Sequence, residues 1–266
     1  MRGNKLDSVK NISVKIRRKL SMNNTIESLM GHRSIRQFTE RGIGDELLGQ
    51  LISAGQAAAS SSFLQGVTII RITDQDKRIK FSELAGNQSQ IISAPEFLVF
   101  CADLNRSIRC CHKHGTLPTE GFTEQFIIAT VDTALYAQNV VVAAESKGLG
   151  ICYIGAIRND PTLAASLLGL PENVCPVFGL CIGYSAEDPE VKPRLPLSVI
   201  LKENNYDSAD EEEQINLYDE VVRNYYAERS GNKKSQSWSE QMSGLLSSQA
   251  RPHMRSFLAS QGFEMK

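Results

Sequence analysis

Within the five residues His32-Arg33-Ser34-Ile35-Arg36 the chain places two guanidinium groups, an imidazole and a hydroxyl, just after a short apolar helical stretch. That set suits a phosphomonoester. Arginine offers a planar fork of donors to phosphate oxygens, and a serine hydroxyl or a free backbone N–H completes the cradle. Taken alone, the run also reads as solvated charge at a helix end. Two further stretches shift the balance. Ser60-Ser61-Ser62-Phe63-Leu64-Gln65 makes a polar turn between a helical pattern and the strand-like Val67-Thr68-Ile69-Ile70-Arg71-Ile72, a connection of the kind that often carries ligand contacts. In Lys192-Pro193-Arg194-Leu195-Pro196 two prolines stiffen a loop. Lys192 and Arg194, two positions apart in an extended chain, then point the same way.

The elements that must position these groups follow from pattern. Asp45 is expected to cap a helix carrying Leu47 to Ala58, and Asp74 a second helix through Leu84 that ends at Gly86. Phe97-Leu98-Val99-Phe100-Cys101 is apolar on both faces and reads as a central strand. Residues 123–147 form the longest helical stretch, stopped by Gly148; Ile127, Ile128, Val131, Ala134, Leu135, Val141 and Val142 spread beyond one stripe, which requires a central core position or a subunit interface. Ile151 to Ile154, Val174 to Ile182 and Leu197 to Leu201 read as strands, with a helix opened by Asp160 and Pro161 between the first two. Asp207 to Glu213 is an acidic loop and helix start, and helices follow around Ile215–Glu228, Trp238–Ser248 and Pro252–Ser260. Strands scattered among helices without regular alternation favour an α+β class.

Taken together and in this order, the cationic run, the serine turn and the Lys-Pro-Arg loop resemble the nitroreductase superfamily, closest to its oxygen-insensitive NADPH nitroreductase and NADPH–FMN oxidoreductase branch. The resemblance runs from about Asn23 to the C-terminus and includes Gly86-Asn87-Gln88, Gly148-Leu149-Gly150, Tyr153-Ile154-Gly155-Ala156-Ile157-Arg158-Asn159, Phe178-Gly179-Leu180-Cys181-Ile182-Gly183 and Ser248-Gln249-Ala250-Arg251-Pro252. It implies a mostly antiparallel central sheet flanked by helices, in an intertwined homodimer holding FMN at the subunit interface. By resemblance, His32, Arg33, Ser34 and Arg194 hold the FMN phosphate and its surroundings, while Arg36 and Lys192 approach the ribityl chain and the N1/O2 side, where a cation stabilises the negative charge that reduction creates. Ser60, Ser61, Ser62 and Gln88 match positions at the flavin edge, and Tyr153, Ile154 and Gly155 match the segment lining the ring. Ala156 stands where close relatives commonly have glycine. The cation-rich loop from Arg229 to Lys234 follows Tyr225-Tyr226; Arg229 matches the family's NADPH-selecting arginine, Lys234 a second cation, and Phe63 and Arg251 the border of the open flavin face, where acceptors stack. The implied activity is NADPH-dependent two-electron reduction of nitroaromatics, quinones or free flavin by a ping-pong cycle. A dedicated flavin reductase supplying reduced FMN, and a flavin-binding redox sensor without turnover, are the rival readings.

Competing motifs fail. Gly148-x-Gly150 with Gly155 has a helix before it and a strand after it, the reverse of a dinucleotide fingerprint, and no P-loop or Gly-x-Ser-x-Gly elbow occurs. Cys110-Cys111-His112-Lys113-His114 lacks zinc-ligand spacing and reads as a loop, so no metal is expected. No protein-borne catalytic group is evident, in keeping with chemistry carried by a cofactor. Of 266 residues 41% are hydrophobic, enough for a substantial core. A net charge of −1 gives no field for nucleic acid, and the apolar runs are interrupted by Glu, Asp or Gln, so no membrane partner is expected. The six cysteines show no disulfide spacing and read as reduced thiols of a cytoplasmic protein. Residues 1–21, with seven Lys or Arg against one Asp, read as a basic, disordered N-terminal extension, and 22–266 as the FMN-binding domain including a C-terminal helical extension.

Overall fold

A computed structural model describes residues 24–231 and 233–266, so the reading of residues 1–21 lies outside the described residues. The described chain is α+β. Four strands, β1 (Val67–Arg71), β2 (Glu96–Asp103), β3 (Gly150–Ile154) and β4 (Val174–Gly183), form one sheet in the order β1-β2-β4-β3 with every pair antiparallel. Strand β2 is buried along its whole length, as its two-faced apolar sequence requires. Leu98 and Phe100 face a core built with α2 (Asp45–Gln56) and the long α6 (Thr123–Ser146). Phe97, Val99 and Cys101 face a second core built with α3 (Gln75–Leu84), α4 (Gln90–Ser93) and α7 (Pro161–Leu168). A bulge between Phe100 and Cys101 marks where Pro176 enters β4 without an N–H to donate. The residue left over, Val177, gives its carbonyl to Arg158.

Helix α6 is long and apolar enough to cross a membrane by length and composition, more so than the interrupted apolar runs suggested. It instead lies against the sheet with Ala129, Thr133, Tyr136, Ala137, Val140, Val141 and Ala144 buried, and its terminus at Gly148 has φ of 73°. Its other face is open: Ile127, Val131 and Leu135, spaced i, i+4, i+8, are 48%, 49% and 45% exposed, an apolar stripe of the kind that marks an interaction surface.

The remaining described helices are α1 (Asn24–Met30), α5 (Asn105–Lys113), α8 (Leu197–Ile200), α9 (Glu211–Glu228), α10 (Trp238–Leu246) and α11 (Met254–Ser260). Three local expectations need correction. Asp45 does not cap α2; Gly44 holds that position with φ of 77°, and the Asp45 carboxylate takes Arg71 at 2.7 Å. Leu197–Ile200 is a turn of helix capped by Leu201 rather than a strand; among the described residues no strand pairs with it, and Leu197 and Leu201 are 73% and 75% exposed. Cys110 to Lys113 is the last turn of α5, not a loop; Asp103 accepts the Arg106 N–H at its start, and His112 and Lys113 suit its negative end. Asp74 and Asp160 do cap their helices, through the Lys77 and Leu163 N–H groups.

Candidate active site

The cationic run lies in extended chain alongside β3. Ser34 bridges Ile151 in parallel, and the Ile35 N–H donates to the Ile151 carbonyl at 2.8 Å. Gly150 permits this approach, since a Cβ there would lie 2.6 Å from Ile35 Cγ1. Gly150→Ala is therefore expected to cost roughly 1–3 kcal/mol by overpacking, read by denaturant unfolding; an unchanged midpoint would show that Ile35 yields freely and does not seat the segment.

Carboxylates hold the run in shape. His32 Nδ1 lies 2.6 Å from Glu145 Oε1 on the last turn of α6. Arg33 pairs with Asp188, and Glu187 accepts the backbone N–H groups of Arg36 and Gln37. Glu187 and Asp188 belong to the same connection as Lys192 and Arg194, so one stretch of chain links the two cationic segments proposed from sequence. The stiff loop is seated on α9: the Tyr218 hydroxyl donates to the Pro193 carbonyl at 2.9 Å, and Lys192 Nζ stands 5.5 Å from the centre of the Tyr226 ring. Arg229 lies over that ring at 4.6 Å, and Lys234 Nζ at 5.9 Å. Three cations from two separate loops thus converge on one phenol. Burial raises the Tyr226 pKa, but the hydrogen bond and charge of Lys192, with help from Gln241 and Lys234, outweigh it and hold the hydroxyl below its ordinary value. Glu190 completes the connection by accepting the Ser230 N–H at 3.1 Å.

Tyr153 projects from β3 onto the α6 side, where it meets Phe178 edge to face at 5.0 Å, and its burial pushes the phenol pKa up to about 12. With Val131, Ala134, Leu135, Gln138 and Phe178 it lines an open apolar cleft of about 410 Å³. Ile154 points into the opposite core, and Gly155 starts a 3-10 turn, Gly155–Asn159, whose Arg158 guanidinium would lie 3.4 Å from an added Cβ. Ala156 sits in that turn without a positive φ, so alanine is no obstacle to the local backbone. Arg251 donates to Asn159 at 3.1 Å, which places it at the same end of β3. Gln88 joins from below: it accepts from Gln90 at 2.8 Å, and Gln90 and the charge of Arg36 both act on the Cys152 thiol, whose pKa burial pushes up.

The serine turn is elsewhere. Ser60 and Ser61 are bonded to Asp132, thirteen residues before Glu145, and a helix rises about 1.5 Å per residue, so roughly 20 Å of α6 separates their anchor from that of His32. Phe63 stands beside them, 80% exposed. The chain thus groups His32, Arg33, Ser34, Arg36, Gln88, Tyr153, Ile154, Gly155 and Arg251 along β3, and Lys192, Arg194, Arg229 and Lys234 at α9, while Ser60, Ser61, Ser62 and Phe63 hang from Asp132, far from the His32 anchor and next to Val131 of the Tyr153 cleft.

Sequence reasoning missed the acids that position these groups: Asp132, Glu145, Glu187, Asp188 and Glu190. Two carried a signal. Asp132 is a lone acid in the middle of an apolar helix, and Glu145 sits in the last turn, where the helix dipole disfavours it unless a cation is near.

Comparison with known proteins gives the family of the chain. The Nitroreductase family description matches residues 29–184, and the Nitroreductase family, C-terminal domain matches residues 192–266. The chain is 46% identical over 244 residues to the NADPH-flavin oxidoreductase of Vibrio harveyi, covering 91% of this chain and 98% of that protein. It is 43% identical over 242 residues to the oxygen-insensitive NADPH nitroreductase of Salmonella typhimurium, covering 91% and 99%. The solved structure of the Vibrio harveyi NADPH:FMN oxidoreductase complexed with NAD+ superposes with a TM-score of 0.84 at 43% identity, covering 92% of this chain and 100% of that one. Between them the two family matches span the cationic run, the serine turn, β3, the Lys-Pro-Arg loop and the tyrosine helix, and on that ground the chain belongs to the nitroreductase family.

Proposed function

We propose that this protein is an NADPH-dependent FMN oxidoreductase that reduces nitroaromatics, quinones or free flavin. The observation that carries the reading is the convergence of Lys192, Arg229 and Lys234 on Tyr226, with Lys192 on the same connection as the Glu187 and Asp188 that hold Arg36 and Arg33. Such a donor set suits two phosphorylated ligands side by side, one seated against β3 and one against the end of α9.

The donor chemistry fits FMN. His32, Arg33, Ser34 and Arg194 would hold its single terminal phosphate, and Arg36 and Lys192 its ribityl chain and the N1/O2 side. Tyr153, Ile154, Gly155 and Gln88 would line the ring. When bound, the flavin supplies reversible two-electron hydride chemistry. The chain's own part is orientation and electrostatics. Glu145 holds His32 by one ring nitrogen and so fixes which nitrogen faces a ligand. Glu187 and Asp188 fix the backbone and guanidinium of the cationic run. Lys192 and Arg36 present positive charge where reduction builds negative charge, and Arg229 and Lys234 would take the adenosine 2′-phosphate of NADPH. Phe63 and Arg251 would border the face where acceptors stack.

A homodimer completes the site in this reading. In this reading two copies pack through the exposed stripe of α6 about a two-fold axis, and the Ser60–Phe63 group of one protomer joins the β3 group of its partner around the flavin. The proposed setting is the cytoplasm, where Cys110, exposed and unpaired with any other cysteine, stays reduced.

The identity of the cofactor is tested directly. The purified protein should be yellow, should be bleached by NADPH faster than by NADH, and should release FMN on heating, identified by chromatography. Recovery of FAD, or of no flavin, would overturn the reading.

A further inference from the structure

The loop between α2 and β1 is held in an unusual shape. Ser62, Phe63 and Gln65 have φ of 49°, 59° and 54°, left-handed conformations that L-residues adopt at a cost and keep only where their surroundings fix them. Phe63, at 80% exposure, receives little help from packing, so the backbone alone decides where its ring stands.

One side chain fixes that backbone. Asp132, 4% exposed in the middle of α6, accepts the Ser60 hydroxyl at 2.5 Å and the Gly66 N–H at 3.3 Å on Oδ2, and the Ser61 N–H at 3.1 Å on Oδ1. The Ser60 hydroxyl in turn accepts the Gln65 N–H at 2.7 Å. A single carboxylate thereby closes both ends of the loop and encloses the strained residues between them. Burying an acid in an apolar helix is unfavourable unless strong donors surround it, and here those donors all come from the loop. The charge is matched to the task as well. An asparagine has one acceptor oxygen, so its amide N–H groups would face a backbone N–H that also needs an acceptor.

We propose that Asp132 is the positioning residue of the flavin-edge loop: through Ser60, Ser61 and Gly66 it holds Ser62 and Phe63 in the strained form in which they meet cofactor and acceptor. This rests on the reading of Ser60–Ser62 and Phe63 as cofactor and acceptor contacts. It adds to that reading a residue that acts on both ligands only through the loop it holds.

The test uses the full-length holoprotein and its Asp132→Asn variant. Amide hydrogen exchange at Ser61, Gln65 and Gly66 should accelerate by about tenfold or more, the factor of a lost charge-assisted hydrogen bond. The FMN dissociation constant, from titration of apoprotein, should rise by a similar factor, and KM for a nitrofuran should rise while the rate of flavin reduction by saturating NADPH changes little. A merely structural acid would lower the melting temperature without this split between acceptor and NADPH. Unchanged exchange overturns the proposal. So does faster exchange with wild-type FMN affinity and acceptor KM, and Arg33→Ala then separates the causes: if that variant loses flavin, the cofactor reading stands and only the role of Asp132 falls. Should Asp132→Asn fail to fold, the wild-type protein decides, because Ser61 is an exposed residue whose amide is bonded to Asp132. Its exchange should be as slow as that of the α6 backbone, and a free-loop rate would overturn the proposal.

Discussion

Alanine in place of Arg229 is expected to lower kcat/KM for NADPH by about ten- to a hundredfold, the equivalent of roughly 1.5–3 kcal/mol for a lost charge-assisted contact, and to leave NADH turnover and bound flavin almost unchanged. The geometry explains why the loss should be selective. Arg229 follows the last residue of α9 and stands over Tyr226, while the segment that would hold the flavin phosphate is fixed independently by Glu187, Asp188 and Glu145. Removing the guanidinium strips one cation from the group around Tyr226 and leaves Lys192 and Lys234 in place. NADH has no 2′-phosphate and loses nothing by it. Steady-state kinetics with both nucleotides decide the matter: an equal fall for NADPH and NADH, or loss of FMN, would make Arg229 a structural residue that packs the tyrosines.

The fold was legible wherever burial dictated sequence. Residues 97–101 could only be a central strand, because apolar side chains on both faces need a core on each side, and β2 has one on each. Asp160-Pro161 and Asp74 announced helix starts through local chemistry, and both caps are present. The failures occur where neighbours decide. Asp45 had the residue type of a cap, but Arg71 on the adjacent strand claims its carboxylate. Leu197 to Leu201 had strand composition and no strand beside it. For the candidate site, sequence supplied the cations and left out their counter-ions, because an acid becomes a positioning group only through a contact far along the chain, as with Glu145 and His32 or Glu187 and Arg36. Gly148-x-Gly150 shows the same division. The first glycine stops α6 with a positive φ, which the sequence disclosed, and the second admits Ile35 against β3, which only the tertiary structure could disclose.

The stripe on α6 carries the other large effect. Val131→Glu is expected to convert the protein to monomers and to abolish flavin binding while the single-chain fold survives. Val131 is 49% exposed in the isolated chain, so a glutamate there projects into water and need not disturb the core, which is built from the opposite face of the helix. In a two-fold interface the substitution acts in both copies and brings two carboxylates into an apolar seam that also borders the cleft at Tyr153. Burying an unpaired charge costs several kcal/mol after relaxation, and about 4 kcal/mol or more in total is a thousandfold or greater weakening of association. Sedimentation, a thermal melt and flavin absorbance, read together, separate the outcomes. Monomers that melt cooperatively and are colourless are the expected result, since in the proposed dimer the flavin draws on Ser60–Phe63 of one protomer and the β3 group of its partner. A yellow monomer would mean that one chain can hold FMN by itself, and an unchanged dimer would place the interface on another surface.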